Sequence, residues 1–305
     1  MRTIVLGTGG VGGYFGGLMA RAGQEIGFVA RGTHLDALKK NGLSVRSAKS
    51  GDFQVPVRAA ESAVDLGEAD LVLFCVKSYD TAAAAESIRP VMRPDTAVIS
   101  LQNGVDNEEV IDSVLGPGHV MGGVAYIEST IAEPGIIAQM SGLCRLAFGE
   151  LNGDRSERAE HIDAEFRTAE IDAVWAEDIT QTLWLKFMFI SAMAGLTTLT
   201  GKPIGPIAQT PESAAVLRAV IEEVAAVGRA AGVNISDKHI EVTYDNAVKA
   251  PAAMKSSMQR DMERGRAIEL EALNGAVVRI GARCGVPTPV NSTIHGCITV
   301  MASQR

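Results

Sequence analysis

The stretch TIVLGTGGVGGYFGGLMARAG, residues 3–23, decides the fold. Its opening, TIVLG, is a β-branched and apolar run that reads as a strand. Its second part, GGYFGGLMARAG (12–23), has helical spacing and ends on Gly23, a good C-terminal stop. Where they meet, Gly7-Thr8-Gly9-Gly10-Val11-Gly12 spells GxGxxG. Alone that pattern is weak. Directly after a strand and at the start of a helix it has a mechanism. The first Gly makes the tight turn, the second lets backbone approach a pyrophosphate, and the third lets helix pack on strand. The anion then meets free N–H groups at the helix N-terminus. The competing reading is a Gly-rich turn in an unrelated α/β protein. A second strand, EIGFVA (25–30), follows in the right place and favours the dinucleotide loop.

Outward from this unit the first half keeps alternating. HLDALKKNG (34–42) reads as a short helix, DLVLFCV (70–76) as a strand, TAVISLQNG (96–104) as another strand and DNEEVIDSVLG (106–116) as a helix. The strands are continuously apolar, which predicts a parallel sheet covered on both faces. Shorter strand-like pieces follow: VMGGVAYIES, GIIAQMS, CRLAFGE and IDAVWAE. From residue 178 the pattern is helical, with Pro211-Glu212 a helix start and Gly232 a stop. The expected architecture is α/β. An N-terminal Rossmann-type doubly wound sheet over 1–177 is followed by an all-helical C-terminal domain over 178–305.

The 305 residues are 47% hydrophobic and 21% charged, ordinary for a globular chain with room for one large or two medium domains. The net charge is −8 and no Lys/Arg run forms a basic patch, so no nucleic acid partner is expected. No uninterrupted apolar stretch reaches about 18 residues, so no membrane span is expected. The start, MRTIVLGTGGVGG, is too Gly-rich for a signal peptide, which points to a cytoplasmic protein. Cys75, Cys144, Cys284 and Cys297 form no CxxC and the histidines no HExxH, so neither a structural zinc nor a disulfide framework is expected. The Ala-rich helices of the second half could bury a homodimer interface or form the domain core.

The strand tips carry the next signals. An NAD site wants an acid at the end of the second strand, but EIGFVA runs into Arg31-Gly32. A guanidinium there suits the 2′-phosphate of NADP(H). The alternative is a solvated surface Arg. Lys77 follows LVLFCV, and Gln102-Asn103-Gly104 follows VISL, both where ligands of doubly wound sheets bind. In the helical half, WLKFMFISAMAGL (184–196) places Lys186 inside an apolar helix. A buried lysine needs a partner or a task. The alternative is a lysine whose stem lies on the apolar face with its head in water.

Together these features resemble the ketopantoate reductase (2-dehydropantoate 2-reductase) family across essentially the whole chain. The resemblance rests on GTGGVGGYFGG, Arg31, VKSYD with Lys77, LQNGVDNEE with Asn103, LWLKF with Lys186, and SSMQRDMERGRAIELEALNG at 256–275. It implies a Rossmann domain plus a helical domain with the active site in the cleft between them. It implies NADPH-dependent reduction of a 2-oxo acid to a 2-hydroxy acid, foremost ketopantoate to pantoate in pantothenate biosynthesis. By this resemblance Lys186 is the catalytic lysine and touches substrate. Asn103 lies beside nicotinamide and substrate, and Ser257 contacts the substrate. Glu269 serves catalysis and the cofactor, while Arg31, Lys77 and Gly7-Thr8-Gly9-Gly10-Val11-Gly12 hold the cofactor. Elementary chemistry is consistent with those roles. Hydride addition to a ketone builds negative charge on oxygen, which a nearby ammonium can protonate.

The match also has gaps. Family members carry asparagines four and eight residues after the lysine, where this chain has Ile190 and Ala194, and another where it has Ile204. The nearest polar substitutes are Ser191, Thr197 and Thr198. Polar groups built to bind a hydroxyl discriminate strongly, so their loss puts the substrate in question. The alternatives are a family paralogue reducing a more apolar 2-oxo acid, a 3-hydroxy acid or sugar-phosphate dehydrogenase of the same architecture, and a non-catalytic NADP-binding regulator.

Overall fold

The structure, a computed structural model, describes residues 1–303. The chain forms two compact units, one of residues 1–102 and 107–179, the other of residues 103–106 and 180–305. The first opens with β1 (Thr3–Leu6), α1 (Gly10–Arg21), β2 (Ile26–Val29) and α2 (Gly32–Asn41). Then come β3 (Leu43–Ser47), β4 (Phe53–Val55), β5 (Arg58–Ala60), β6 (Ala69–Phe74), α3 (Thr81–Ile88), β7 (Met92–Ser100) and α4 (Asn107–Leu115). It closes with β8 (Val120–Glu133), β9 (Ile136–Glu150), α5 (Glu157–Thr168) and β10 (Ala173–Trp175).

The strands form one sheet in the order β4-β3-β9-β8-β7-β6-β1-β2-β5, with β10 beside β9. The run from β8 through β7, β6, β1, β2 to β5 is parallel. From β1 the chain steps to β2 on one side and later to β6 on the other. The switch in direction therefore lies at the carboxyl end of β1, where ligands of such sheets bind. Residues of β1 alternate between two cores, as the two-residue strand period requires. Val5 packs with Tyr14 and Phe15 of α1. Ile4 and Leu6 pack with Ala85 and Ile88 of α3 and Ile111 of α4.

The sheet is mixed rather than wholly parallel. β8 and β9 form a long antiparallel hairpin, and GIIAQMS and CRLAFGE prove to be one strand with a register shift opposite Ile127/Ser129. Residues 43–60, outside the elements expected from the sequence, supply β3, β4 and β5. These are only three to five residues long, and β3 is held by pairing with the distant β9, which no local pattern announces.

The second unit is helical: α6 (Ile179–Thr200), α7 (Ile204–Gln209), α8 (Pro211–Ala230), α9 (Asp237–Lys249), α10 (Ser257–Glu263), α11 (Asn274–Cys284) and α12 (Pro289–Ser303). By length and composition α6 could cross a membrane, but most of its apolar window is buried and it acts as the core helix. Its Trp184, Phe187 and Met188 pack with Leu217, Val220 and Ile221 of α8. Gly228 permits this close packing, since a Cβ there would lie 2.8 Å from Trp184. The segment IELEALNGAVVRIGARCG is helical only from Asn274; α10 ends at Glu263, and turns intervene.

Candidate active site

The glycine loop is shaped as its sequence requires. Gly7 has φ +97°, and a Cβ there would sit 2.9 Å from the backbone of Cys75 and Val76, so the turn lies hard against the end of β6. At Gly12 a Cβ would lie 2.4 Å from the Gly7 carbonyl oxygen and 2.7 Å from Val5, so only a glycine lets α1 approach β1. At Gly9, by contrast, a Cβ would meet nothing within 4 Å. The backbone there faces open space, which is what an approaching pyrophosphate needs. The loop suits a dinucleotide phosphate at the start of α1.

Thr8, the first variable position of the motif, ties the loop to β2. Its backbone N–H and its hydroxyl both donate to the Val29 carbonyl, at 3.1 and 2.9 Å. Arg31 follows two residues later, exposed, at the N-cap of α2. Lys77, partly buried, lies two residues past Cys75, against which Gly7 packs. The first unit thus gathers the glycine loop, Arg31 and Lys77 around the carboxyl ends of β1, β2 and β6. Gln102 fixes the end of β7 there, its amide donating to the Val76 carbonyl at 3.0 Å and to the Thr81 hydroxyl at 2.9 Å. Thr8 and Gln102 carry no sequence motif for these contacts, which follow from strand order.

In the second unit Lys186 is partly buried on α6, and its ammonium donates to Asn103 Oδ1 at 2.8 Å. Burial pulls its pKa from the ordinary lysine range down to about 8, opposed by the charge of Glu269. Glu269 is 7% exposed, in the irregular segment between α10 and α11. The structure therefore brings Lys186, Asn103 and Glu269 together. Ser257 is exposed at the first turn of α10. Its neighbour Ser256 is already committed. Its hydroxyl caps α10 by accepting from the Gln259 N–H at 3.0 Å and lies 2.8 Å from the Thr197 hydroxyl.

The three polar residues of α6 nearest the missing asparagines are all buried. Thr197 shares the Lys186 line of α6, about three turns on, but is fully buried and donates to the Met193 carbonyl at 2.7 Å. Ser191 and Thr198 are 0% and 3% exposed and belong to another stripe of the helix, with Gly195. Asn274 packs on that stripe, where a Cβ at Gly195 would lie 2.8 Å from its Oδ1. Asn274 donates to Asn291 at 2.9 Å, and Asn291 to Glu223 at 2.8 Å, so this face is a buried polar seam between helices. Ile190, one turn past Lys186, is partly buried, while Ala194 and Ile204 are core residues.

The comparisons with known proteins bear on the family and the fold. The family described as Ketopantoate reductase PanE/ApbA matches residues 3–153, and its C-terminal counterpart matches residues 178–302. An uncharacterized oxidoreductase, YkpB, of Bacillus subtilis is 31% identical over 306 residues, covering 100% of both chains. A 2-dehydropantoate 2-reductase of Mesorhizobium japonicum is 30% identical over 330 residues, covering 100% of this chain and 99% of its own. A crystal structure of a PanE/ApbA family ketopantoate reductase from Ralstonia eutropha JMP134 superposes with a TM-score of 0.91 at 32% identity, covering 100% of this chain and 99% of that one. With both units matched in sequence and in fold, the chain belongs to the ketopantoate reductase family and is an oxidoreductase acting on a CH–OH group.

Proposed function

We propose that the protein catalyses the NADPH-dependent reduction of a 2-oxo acid to a 2-hydroxy acid, with 2-dehydropantoate (ketopantoate) the leading substrate. The observation that carries this reading is the 2.8 Å hydrogen bond from the Lys186 ammonium to Asn103, beside the charge of Glu269. When bound, the nicotinamide dinucleotide supplies the hydride. The oxygen of the reacting carbonyl then gains charge and needs a proton. Lys186 holds one on Nζ, with a pKa of about 8, close enough to neutrality for efficient transfer. Asn103 fixes the direction of that ammonium, and Glu269 keeps it charged. In the first unit the N–H groups opening α1 would hold the pyrophosphate, and Arg31 the 2′-phosphate. Lys77 would add a cation near the same strand ends.

The test is oxidation of NADPH, followed spectrophotometrically, with ketopantoate and a panel of 2-oxo acids. Turnover by wild type and its loss in Lys186→Ala, with cofactor binding retained, is the expected result. Tight NADPH binding with no turnover of any 2-oxo acid would instead favour a non-catalytic role.

A second reading has an observation of its own. The position one turn past Lys186 presents Ile190, and no polar side chain of α6 replaces the amides the family carries there. A substrate with an apolar side chain fits this better than one with a hydroxyl. Higher kcat/KM for a branched or aromatic 2-oxo acid than for ketopantoate would select it.

A further inference from the structure

The Lys186 centre draws its partners from distant parts of the chain, and one outlying side chain touches both contributing segments. Asn103 heads the segment 103–106, which packs as part of the second unit. Behind it the chain turns at Gly104, whose φ of +125° suits glycine. Val105 packs on the helical core. At the end of the segment Asp106 Oδ2 accepts from an Arg279 Nη on α11 at 2.7 Å. The other Nη of the same guanidinium donates to the backbone carbonyl of Glu271 at 3.0 Å and reaches its carboxylate at 3.4 Å. Glu271 lies two residues after Glu269.

We propose that Arg279 is a positioning residue for the Lys186 centre, its guanidinium fork tying the segment that carries Asn103 to the segment that carries Glu269. This rests on the reading of Lys186 given above. An exposed ion pair alone contributes little to stability, and Arg279 keeps 49% of its side chain exposed. The significance of this pair lies in where its acceptors sit. A planar fork can serve two acceptors in fixed directions, whereas a lysine is a single point charge. The turn is packed closely to α11, since a Cβ at Gly275 would lie 2.7 Å from Glu271 Oε2. The Glu271 carboxylate is shared with His295, whose Nε2 is 2.7 Å from Oε1. The charged groups the guanidinium meets include Asp106, Glu271 and, through Glu271, His295. Slackening the fork lets both Asn103 and Glu269 drift from the ammonium. Both favour its charged form, so the Lys186 pKa falls.

The test reads Lys186 directly. Lysine labelled with carbon-13 is incorporated, the Lys186 resonance is identified by its loss in Lys186→Arg, and its titration is followed by NMR in the full-length protein. In Arg279→Met the midpoint is expected to fall by about half a unit or more. Asp106→Asn, which keeps the shape and removes one acceptor charge, should give a smaller fall in the same direction, and Arg279→Lys partial rescue. Arg218→Met, which removes a bidentate pair with Glu241 elsewhere in the unit, should leave the midpoint in place. With a 2-oxo acid substrate, kcat should drop roughly three- to tenfold with little change in cofactor KM. An unmoved Lys186 midpoint in both Arg279→Met and Asp106→Asn overturns the proposal, whatever the activity. Should Arg279→Met fail to fold, Asp106→Asn alone decides. Full turnover in Lys186→Ala would defeat the catalytic reading instead, while the titration would still decide the role of Arg279.

Discussion

In the first unit the candidate pyrophosphate loop is made of backbone, from six consecutive residues, Gly7 to Gly12. In the second, the Lys186 centre is made of side chains supplied by residues 103, 186 and 269. The loop works through what it lacks: a Cβ at Gly12 would strike the Gly7 carbonyl, and one at Gly9 would stand in open space. The lysine centre works through what it holds, an ammonium drawn partly out of water and steadied by an amide and a carboxylate. A local site should therefore fail by steric obstruction and a dispersed one by lost chemistry.

The largest expected effect separates these modes. Lys186→Ala should lower kcat for reduction by roughly a thousandfold, within the range general acid catalysis supplies, while the NADPH Kd measured by fluorescence titration stays within about twofold. A parallel loss of cofactor affinity would break the comparison. Gly12→Val should do the reverse, weakening NADPH by about a hundredfold or more, because α1 must move off β1. Calorimetry together with a thermal melt would distinguish a displaced helix from an unfolded unit.

The pH profile gives a sharper reading. Reduction consumes a proton held by Lys186, so its rate should fall as pH rises through about 8, and the reverse oxidation should rise over the same interval. Because Glu269 opposes the lowered pKa, Glu269→Gln should move that limb to lower pH; a shift upward would contradict the assigned electrostatics. A smaller change is expected at Arg31→Ala. Its preference for NADPH over NADH, compared by kcat/KM, should narrow by about tenfold, as loss of one charge-assisted contact to a phosphate implies. The mildest test is Ile190→Asn, which should improve hydroxylated 2-oxo acids over apolar ones by a few-fold. Ala194→Asn is not equivalent, since Ala194 is core and an amide there would cost stability.

Much of this was legible in advance where the determining contacts are local. The GxGxxG loop, the alternation of β1 to α4 and the start of α8 at Pro211 each follow from neighbouring residues. Strands β3 and β5 were not, because β3 pairs with the distant β9 and β5 with β2; β4 pairs with nearby β3 but is only three residues long. Nor was the fate of Ser191, Thr197 and Thr198. Helical spacing puts Thr197 on the Lys186 line, but only packing shows its hydroxyl engaged by Met193 and Ser256.

The sequence by itself determined the dinucleotide loop, the two-part architecture and Lys186 as an unusual residue, because backbone conformation and side-chain periodicity are short-range properties. Tertiary structure alone decided that Asn103 meets the ammonium, that the Ser256 hydroxyl meets that of Thr197, and that Arg279 reaches Asp106. Each of those depends on residues tens to more than a hundred positions apart being packed within hydrogen-bond reach, which no local pattern encodes.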